Sequence, residues 1–261
     1  MKTQTLEESQ FDCFEDMKKK PTEVFYRGDN TLLQKPKVSI VGTRKPSQYT
    51  KQMTADLAHR LASVGVVVVS GGAMGVDGQA HFGAGEANTI AVMPCGLDIR
   101  YPVVHREMFE KIESKGLLLS VYPDGSNAAN WTFVVRNEMV VALGDVLVVS
   151  EALRDSGSMR SVAFAKKMGK KIYTFSHRSG ESAGTMDLVK EGAAEVIYDI
   201  DDFVAMYGVS KAVEKDPFLE FCQSRPTYEE TLKLYAEQLF SYELEGKIVV
   251  KDGFVTLAKI F

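Results

Sequence analysis

The chain has 261 residues, of which 45% are hydrophobic and 25% charged, and its formal net charge is -4. This composition is ordinary for a globular protein, and the negative net charge excludes a polyanion-binding surface spread over the whole molecule. Cys13, Cys95 and Cys222 are too few and too widely spaced for a disulfide framework or a zinc motif, and no apolar run exceeds five residues, far short of a membrane span.

Residues 1–36 are mixed in character and are interpreted as an N-terminal extension. Within them, 24–27 can form a short strand that leads through Gly28 and Asp29 towards the core. The start of the chain lacks the apolar core of a signal peptide, so a cytoplasmic location is expected.

The stretch 37–75 predicts a strand, a helix and a second strand, which together make a βαβ unit. Two β-branched runs, 38–41 and 66–69, are apolar enough to be parallel strands covered on both faces. Between them, apolar side chains recur at the three- and four-residue steps of a helix, at Tyr49, Met53, Leu57, Leu61 and Val64. Ligands of such sheets bind beyond the carboxyl ends of the strands, which is where Gly42 and Gly71 lie.

The alternation of strands and helices continues to residue 208. The further predicted strands are 89–93, 117–122, 145–149, 170–175 and 195–198. Helical segments separate them, at 75–87, 105–115, 133–143, 158–169 and 184–192. This alternation predicts an α/β fold over 37–208, with a doubly wound, mostly parallel sheet.

The pattern changes after residue 208. Residues 209–216 are predicted to be a linker, because they are polar and lead into a proline. Residues 217–261 are predicted to form a small winged-helix-like C-terminal domain of three short helices and a hairpin, with strands at 248–250 and 254–257. Acidic side chains outnumber basic ones nine to six over 212–261, which opposes phosphate binding there and favours a protein contact or simple packing.

Two glycine-containing loops at strand ends predict sites for phosphate groups. The first is Gly42, Thr43 and Arg44, which combines a tight turn with a guanidinium suited to phosphate. The alternative for Arg44 is an ion pair with a carboxylate at the sheet edge. The second loop is Ser70, Gly71 and Gly72, which opens a helix whose first N–H groups can bind an anion.

Asp77 and His81 lie four residues apart, on one face of the helix that follows the second loop. One interpretation makes them an acid–base pair. The other, which is preferred, has Asp77 stabilising the first turn of the helix electrostatically while His81 packs or hydrogen-bonds beneath the loop.

The segment 130–137 places aromatic rings beside a cation and two amides. Its candidate site residues are Asn130, Phe133, Arg136 and Asn137, and it also holds Trp131. Single-stranded nucleic acid is bound by such combinations, because bases stack on the rings while phosphates pair with the cations. The alternative is that Trp131 and Phe133 belong to the hydrophobic core.

A further loop, made of Ser156, Gly157 and Ser158, follows the fifth strand and opens another helix. Its hydroxyl and N–H groups can bind one more phosphate. The surroundings form a basic patch that the net charge hides, with Arg154, Arg160, Lys166, Lys167, Lys170 and Lys171.

The motifs VSIVGTR, VVVVSGGAMGVDGQAH, PCGLDIRYP, NWTFVVRN and SGSMRSVAFA occur in this order. With their spacing, the chain resembles the DNA-processing protein A family (DprA, also called Smf) over about residues 20–200. The resemblance implies an extended Rossmann-like fold, and many members carry a small winged-helix-like C-terminal domain.

The same resemblance implies a function without catalysis. Members of the family bind and protect incoming single-stranded DNA during natural transformation, the recombination process of competence, and help to load the RecA recombinase onto it. They form dimers. By this resemblance Arg44 and Arg136 grip phosphates and Phe133 stacks on a base, and no catalytic residue, metal or cofactor is expected.

Two departures from the family pattern remove positive charge. Glu138 stands where the family often has arginine, and Asn130 stands where a basic residue is frequent. The enzyme alternative is a nucleotide-binding protein similar to the LOG-type phosphoribohydrolases. The loop 155–161 lacks the catalytic glutamate of their motif, and Glu151 precedes the loop, so this alternative is less favoured.

Overall fold

The computed structural model describes residues 2–178, 180–207, 217–244, 246–251 and 253–258. Contacts between Cα atoms divide the chain into two compact units, 1–209 and 210–261. The predicted linker, 209–216, lies outside the described residues.

A nine-stranded sheet forms the centre of the first unit. Its strands, in chain order, are β1 (Gln4–Thr5), β2 (Phe25–Gly28), β3 (Lys37–Val41), β4 (Val67–Ser70), β5 (Thr89–Val92), β6 (Leu117–Ser120), β7 (Val146–Val149), β8 (Ile172–Phe175) and β9 (Glu195–Ile197). Across the sheet they follow the order β1-β2-β6-β5-β4-β3-β7-β8-β9. All pairs from β6 to β9 are parallel, and only β1 and β2 run antiparallel to their neighbours. The predicted doubly wound, mostly parallel sheet is therefore confirmed.

In the described part of the first unit, six α-helices lie between these strands and a seventh follows β9. They are α1 (Gln48–Ser63), α2 (Val76–Ala84), α3 (Arg106–Lys115), α4 (Asn130–Leu143), α5 (Gly157–Lys167), α6 (Ala183–Lys190) and α7 (Ile200–Ala205). The helix α1 begins where the Ser47 hydroxyl accepts a hydrogen bond from the Thr50 N–H, at 3.2 Å.

Hydrophobic cores lie on both faces of the sheet, because successive residues of a strand point to opposite sides. Val68 of β4 packs with Leu57 and Leu61 of α1 in one core. Its neighbour Val69 packs with Val140 of α4 in another. This two-sided burial explains why the central strands are continuous runs of β-branched residues.

The N-terminal segment, interpreted from the sequence as an extension, packs on the first unit and contributes two strands to the sheet. The predicted strand at 24–27 is β2, and it pairs antiparallel with β6 through Phe25↔Ser120 and Gly28↔Leu117. Phe14 and Val24 are fully buried in the core. The segment joins the sheet because β6 would otherwise leave a row of unpaired backbone groups.

The second unit contains two helices and a hairpin. The elements are α8 (Pro217–Gln223), α9 (Tyr228–Leu244), β10 (Ile248–Lys251) and β11 (Phe254–Leu257). A kink at Tyr235 breaks α9, so three helical pieces precede the hairpin, as predicted. Phe218, Leu239 and Val255 are buried in the hydrophobic core of this second unit. Of the helices in the described part of the chain, none combines the length and apolar character needed to cross a membrane.

Candidate nucleic-acid interface

The carboxyl ends of the parallel strands form one edge of the sheet, and most of the predicted site residues lie in the loops along it. Pro94 follows β5, Gly71 follows β4, Gly42 follows β3 and Ser156 lies in the loop after β7. Neighbouring strands are about 4.8 Å apart, so the edge from β6 to β7 spans roughly 19 Å over its four intervals.

An aromatic pocket lies at the ends of β4 and β5. It is lined by Arg44, Gly71, Ala73, Met74, Pro94, Tyr101, Pro102, Phe133 and Arg136. The rings of Tyr101 and Phe133 meet edge to face, with centroids 5.6 Å apart. Tyr101 is 43% exposed and Met74 50% exposed, so the pocket presents apolar surface to solvent. Such a surface suits the flat face of a nucleobase.

A polar groove of about 700 Å³ continues from this pocket towards β7. Two predicted loops form its opposite walls, with Gly42, Thr43 and Arg44 on one side and Ser156, Gly157 and Ser158 on the other. The remaining polar residues that line it are Lys45, Asp77, Arg136, Asn137, Glu151, Asp155, Arg160 and Ser161. Because Arg44, Ala73 and Arg136 line both, the aromatic pocket and the polar groove form one continuous surface.

Backbone hydrogen bonds fix the loop that carries Arg44. The Thr43 N–H donates to the Glu151 carbonyl at 2.8 Å, and the Thr43 carbonyl accepts from the Val76 N–H at 3.1 Å. The Arg44 side chain is exposed and forms no ion pair with a carboxylate among residues 2–178 and the other described segments. The alternative of a sheet-edge ion pair is therefore absent, and the guanidinium faces the shared part of the surface.

The carboxylate of Glu151 accepts hydrogen bonds from residues at the start of α1. It accepts hydrogen bonds from the Ser47 N–H at 3.1 Å and from the Thr50 hydroxyl at 2.6 Å. Glu151 therefore lines the polar groove with a side chain that already holds two donors.

Arg136, which the sequence predicts to grip a phosphate, is buried at the base of the pocket and the groove. Its side chain is 4% exposed and donates to the Gly71 carbonyl, and it donates to the Asn137 amide oxygen at 3.0 Å. Gly71 leaves room for this contact, because a Cβ at that position would overlap the guanidinium. The guanidinium carbon also lies 5.7 Å from the Phe133 ring centroid. Arg136 therefore forms the floor of the site and orients its neighbours.

Asp77 is buried near enough to Arg136 for their charges to interact. Its carboxylate accepts a hydrogen bond from the Ala73 N–H at 3.3 Å. Burial raises the pKa of Asp77, while the charge of Arg136 and the amide donors of Ala73 and Gly71 oppose that rise. The carboxylate therefore fixes the loop after β4.

His81 makes a separate contact, so the two side chains do not form an acid–base pair. Its Nδ1 lies 2.7 Å from the Thr89 hydroxyl, and its Nε2 is buried without a hydrogen-bond partner in the described part of the chain. The preferred interpretation of a histidine packed beneath the loop agrees with this arrangement. Burial, followed by the charges of His105 and Arg136, lowers the pKa of His81 from 6.5 to about 3.

This lowered pKa predicts a pH-dependent stability. Above pH 6.5 His81 is neutral in both states, and below it the unfolded chain takes up a proton that the folded protein excludes until about pH 3. Between about pH 7.5 and pH 5.5, His81 is expected to remove about 1.4 kcal/mol from the free energy of unfolding. Urea unfolding of the wild type and of His81→Gln at both pH values measures this. The glutamine variant should lack that part of the pH dependence, and equal dependence in both proteins would rule out His81 as its source.

The loops after β4 and β7 differ in what they offer the groove. Ser70 is fully buried and its hydroxyl donates to the Ile40 carbonyl at 2.7 Å, so this predicted site residue holds two strands together. Gly72 is likewise buried, and only Gly71 of that loop lines the site. Ser156 precedes α5, and its hydroxyl is buried with no partner among the described residues. Together with the N–H groups of the first turn of α5, it gives this wall a set of unfilled donors.

Side chains in the first turns of α4 point to different sides of the helix. Phe133 and Asn137 face the site, whereas Asn130 is exposed and lines neither the aromatic pocket nor the polar groove. Glu138 also points away, and its carboxylate accepts a hydrogen bond from the Lys18 N–H at 2.7 Å. Trp131 is 63% exposed, so the alternative that places it in the core is wrong.

Sequence reasoning left out Met74, Pro94, Tyr101 and Pro102 as site residues, although three of them lie in the motif PCGLDIRYP. The motif directly follows a predicted strand, and this position could have indicated that its residues belong to the site. Within the described ranges, no group of three or more His, Cys, Asp or Glu side chains is arranged to hold a metal ion.

The chain is similar to known proteins in both sequence and structure. The family model for DNA recombination-mediator protein A matches residues 4–208. The protein Smf of Synechocystis is 35% identical over 179 residues, which is 67% of this chain and 45% of that protein. The chain thus spans about half the length of the first curated relatives it matches.

Two solved structures resemble this one. A Helicobacter pylori structure, described as giving insight into the single-stranded DNA binding mode of DNA processing protein A, has a TM-score of 0.76 and 39% identity. It covers 79% of this chain and 95% of that one. The Streptococcus pneumoniae DNA processing protein A has a TM-score of 0.72 and 28% identity, covering 80% of this chain and 75% of that one.

Proposed function

We propose that this chain, which belongs to the DNA recombination-mediator protein A family, binds single-stranded DNA in the aromatic pocket and the polar groove. The observation that carries this proposal is their junction at Arg44, where a base-sized apolar surface meets a groove lined by donors. The single-stranded DNA named for the Helicobacter pylori protein supports the same ligand here.

In the proposed mode, Phe133 and Tyr101 receive one base while neighbouring phosphates lie in the polar groove. Arg44 pairs with a phosphate from the exposed side, and the first N–H groups of α5 with Ser156 bind another. Arg136 holds the floor beneath them. These contacts involve ring faces and phosphates, so sequence preference is low, and a duplex is disfavoured because the stacked base has to be unpaired.

Family membership supports the wider role. We infer a cytoplasmic protein of natural transformation that protects incoming single strands, acts as a homodimer and helps to load the RecA recombinase. The winged-helix-like designation of 217–261 is likewise a proposal, and the excess of acidic residues there supports a protein contact.

The decisive experiment measures binding of a fluorescent oligothymidylate, with a duplex as comparison, over a salt series. Arg44→Ala is expected to raise the Kd about 10- to 100-fold, since a hydrogen bond to a charged group contributes about 1.5–3 kcal/mol. The slope of log K against log salt should become shallower by about 0.7 for each phosphate that the variant no longer binds. The matched control is Arg60→Ala, which removes one positive charge from the last turn of α1, at the opposite edge of the sheet.

The outcomes separate the parts of the proposal. Wild-type protein that fails to bind at low salt would contradict single-stranded DNA binding, and a mononucleotide titration would then test the phosphoribohydrolase alternative. Binding that Arg44→Ala leaves unchanged would show that the strand lies elsewhere. Equal decreases in affinity for Arg44→Ala and Arg60→Ala would show that only overall charge matters.

A further inference from the structure

A second aromatic surface lies on the other side of the start of α4. We call it the tryptophan shelf and define it by Trp131, Tyr122, Pro123, Phe25 and Lys19, which line a depression of about 310 Å³. The Trp131 and Tyr122 rings meet edge to face with centroids 5.5 Å apart, which leaves a face of the indole open. An indole exposed in this way, beside a second ring, is a platform for a flat apolar group.

The tryptophan shelf and the aromatic pocket both lie at the carboxyl ends of the parallel strands. Tyr122 follows β6, and Pro94 of the pocket follows the neighbouring strand β5. Trp131 and Phe133 are two residues apart in α4, so they lie about 200° apart around the helix and about 3 Å apart along it. Asn130, the first residue of the helix, is exposed. A chain that leaves the aromatic pocket over this helix end arrives at the indole.

The charges around the shelf permit a phosphate. Lys19 is exposed and forms no ion pair with any carboxylate in the described segments. Of the nearby acids, Glu15 is paired with Lys20, and Glu138 accepts the Lys18 N–H. Glu23 and Glu138 line the depression together with Lys19 and Lys20.

The Tyr122 hydroxyl gives the shelf an unused polar atom. It is buried and has no hydrogen-bond partner in the part of the chain that the structure describes. Burial raises the pKa of Tyr122 to about 12, so the hydroxyl keeps its proton at neutral pH. The shelf thus combines an open indole, an exposed lysine and a hydroxyl that has no partner among the described residues.

We propose that the tryptophan shelf is a second base-stacking site for the same single strand, which takes up a nucleotide beyond the one at Phe133, with Lys19 beside its phosphate. This inference rests on the proposed function and extends its track from β4 to β6. A strand with B-form spacing advances 3.4 Å per nucleotide, so the roughly 19 Å from β6 to β7 corresponds to about six stacked nucleotides and fewer in an extended strand. Short oligomers are therefore expected to fill the aromatic pocket alone, and longer ones both surfaces.

The chain has a single tryptophan, so its fluorescence reports on this shelf alone. Oligothymidylates of about four and about sixteen nucleotides, the limits of common single-strand site sizes, are titrated while indole emission and the anisotropy of a labelled DNA are recorded. The longer oligomer is expected to quench Trp131 strongly and the shorter one weakly. Trp131→Ala should raise the Kd of the longer oligomer about 5- to 100-fold and leave that of the shorter one unchanged.

Matched variants isolate the stacking contribution. Trp131→Phe keeps an aromatic face and should retain most of the affinity. Tyr198→Ala removes an even more exposed ring beyond β9, outside the proposed track, and should have no effect. Because Trp131 is exposed, these substitutions leave the core intact, and circular dichroism checks that each variant is folded.

The result that overturns the proposal differs from the one that overturns the function. Suppose that both oligomers bind in an Arg44-dependent way, while Trp131 emission and the affinity of Trp131→Ala stay unchanged. The DNA then does not stack on the tryptophan shelf, although the proposed function stands. Quenching without any decrease of affinity in Trp131→Ala also overturns stacking as a source of binding. If neither oligomer binds, the proposed function itself fails.

Discussion

Arg136→Met is expected to lower the free energy of unfolding by about 3–5 kcal/mol, because it removes at least two hydrogen bonds of a buried charged group, each of which contributes about 1.5–3 kcal/mol. The hydrogen bonds that it removes include those to the Gly71 carbonyl and to Asn137. The variant keeps a side chain of similar length but also removes the positive charge that opposes the rise in the pKa of the buried Asp77 carboxyl group. For a unit of this size the decrease corresponds to about 6–20 °C in Tm. Urea and thermal unfolding measure it.

The control for this prediction lies in the same groove. Arg160→Met removes an exposed guanidinium and should change the free energy of unfolding by no more than about 0.5 kcal/mol. Asp77→Asn combined with Arg136→Met should recover part of the stability, because an amide needs no counter-charge. A double variant as unstable as Arg136→Met alone would attribute the effect to the hydrogen bonds of Arg136 instead of its charge.

Gly75→Ala is expected to lower both stability and affinity for single-stranded DNA. Gly75 precedes α2 with φ +84° and ψ -125°, and a Cβ there would lie 2.5 Å from the Thr43 carbonyl oxygen and 2.6 Å from the Arg44 carbonyl carbon. The strained conformation alone costs about 1–3 kcal/mol, and the overlap with backbone adds to it. Relief of the overlap requires the Arg44 loop to move away from α2, which alters the polar groove.

The other end of the same helix supplies the comparison. Gly85 also has a positive φ, +70°, but a Cβ there would meet no atom within 4 Å. Gly85→Ala should therefore show the conformational cost alone, in unfolding experiments, and bind the oligonucleotide as the wild type does. If Gly75→Ala binds DNA as well as Gly85→Ala does, the close approach of α2 to the Arg44 loop is unimportant for the site.

The parallel sheet was predictable because its strands are apolar on both faces and each is followed by a helix. The strand β2, which lies between the edge strand β1 and β6, was harder to place, since β6 lies far along the chain and the two are antiparallel. A four-residue strand in a mixed segment carries little periodicity of its own. Its inclusion in the sheet is decided by tertiary pairing.

The sequence indicates where the candidate site lies, but less about how each side chain is arranged there. Strand ends identify the loops, because ligands collect beyond the carboxyl ends of parallel strands. Residue type does not reveal burial, so the sequence does not indicate that Arg136 is buried and donates to the Gly71 and Val92 carbonyls. The orientation of Glu138 follows from helical geometry, because a residue two positions after Arg136 lies on nearly the opposite side of α4. Tyr101 lies in a loop without periodicity, and only the fold brings it to Phe133.

The pairing of β2 with β6 has a consequence for how the protein folds during synthesis. Gly28 leaves the ribosome early, but its partner Leu117 follows 89 residues later, so β2 has no strand to pair with until β6 has been made. The strands β3, β4 and β5 are synthesised in between and can assemble first. Closing the edge with the N-terminal segment is then a late event, and its long loop makes it a slow one. Until it happens, the nascent sheet exposes the hydrogen-bonding groups of its outermost strand to other chains.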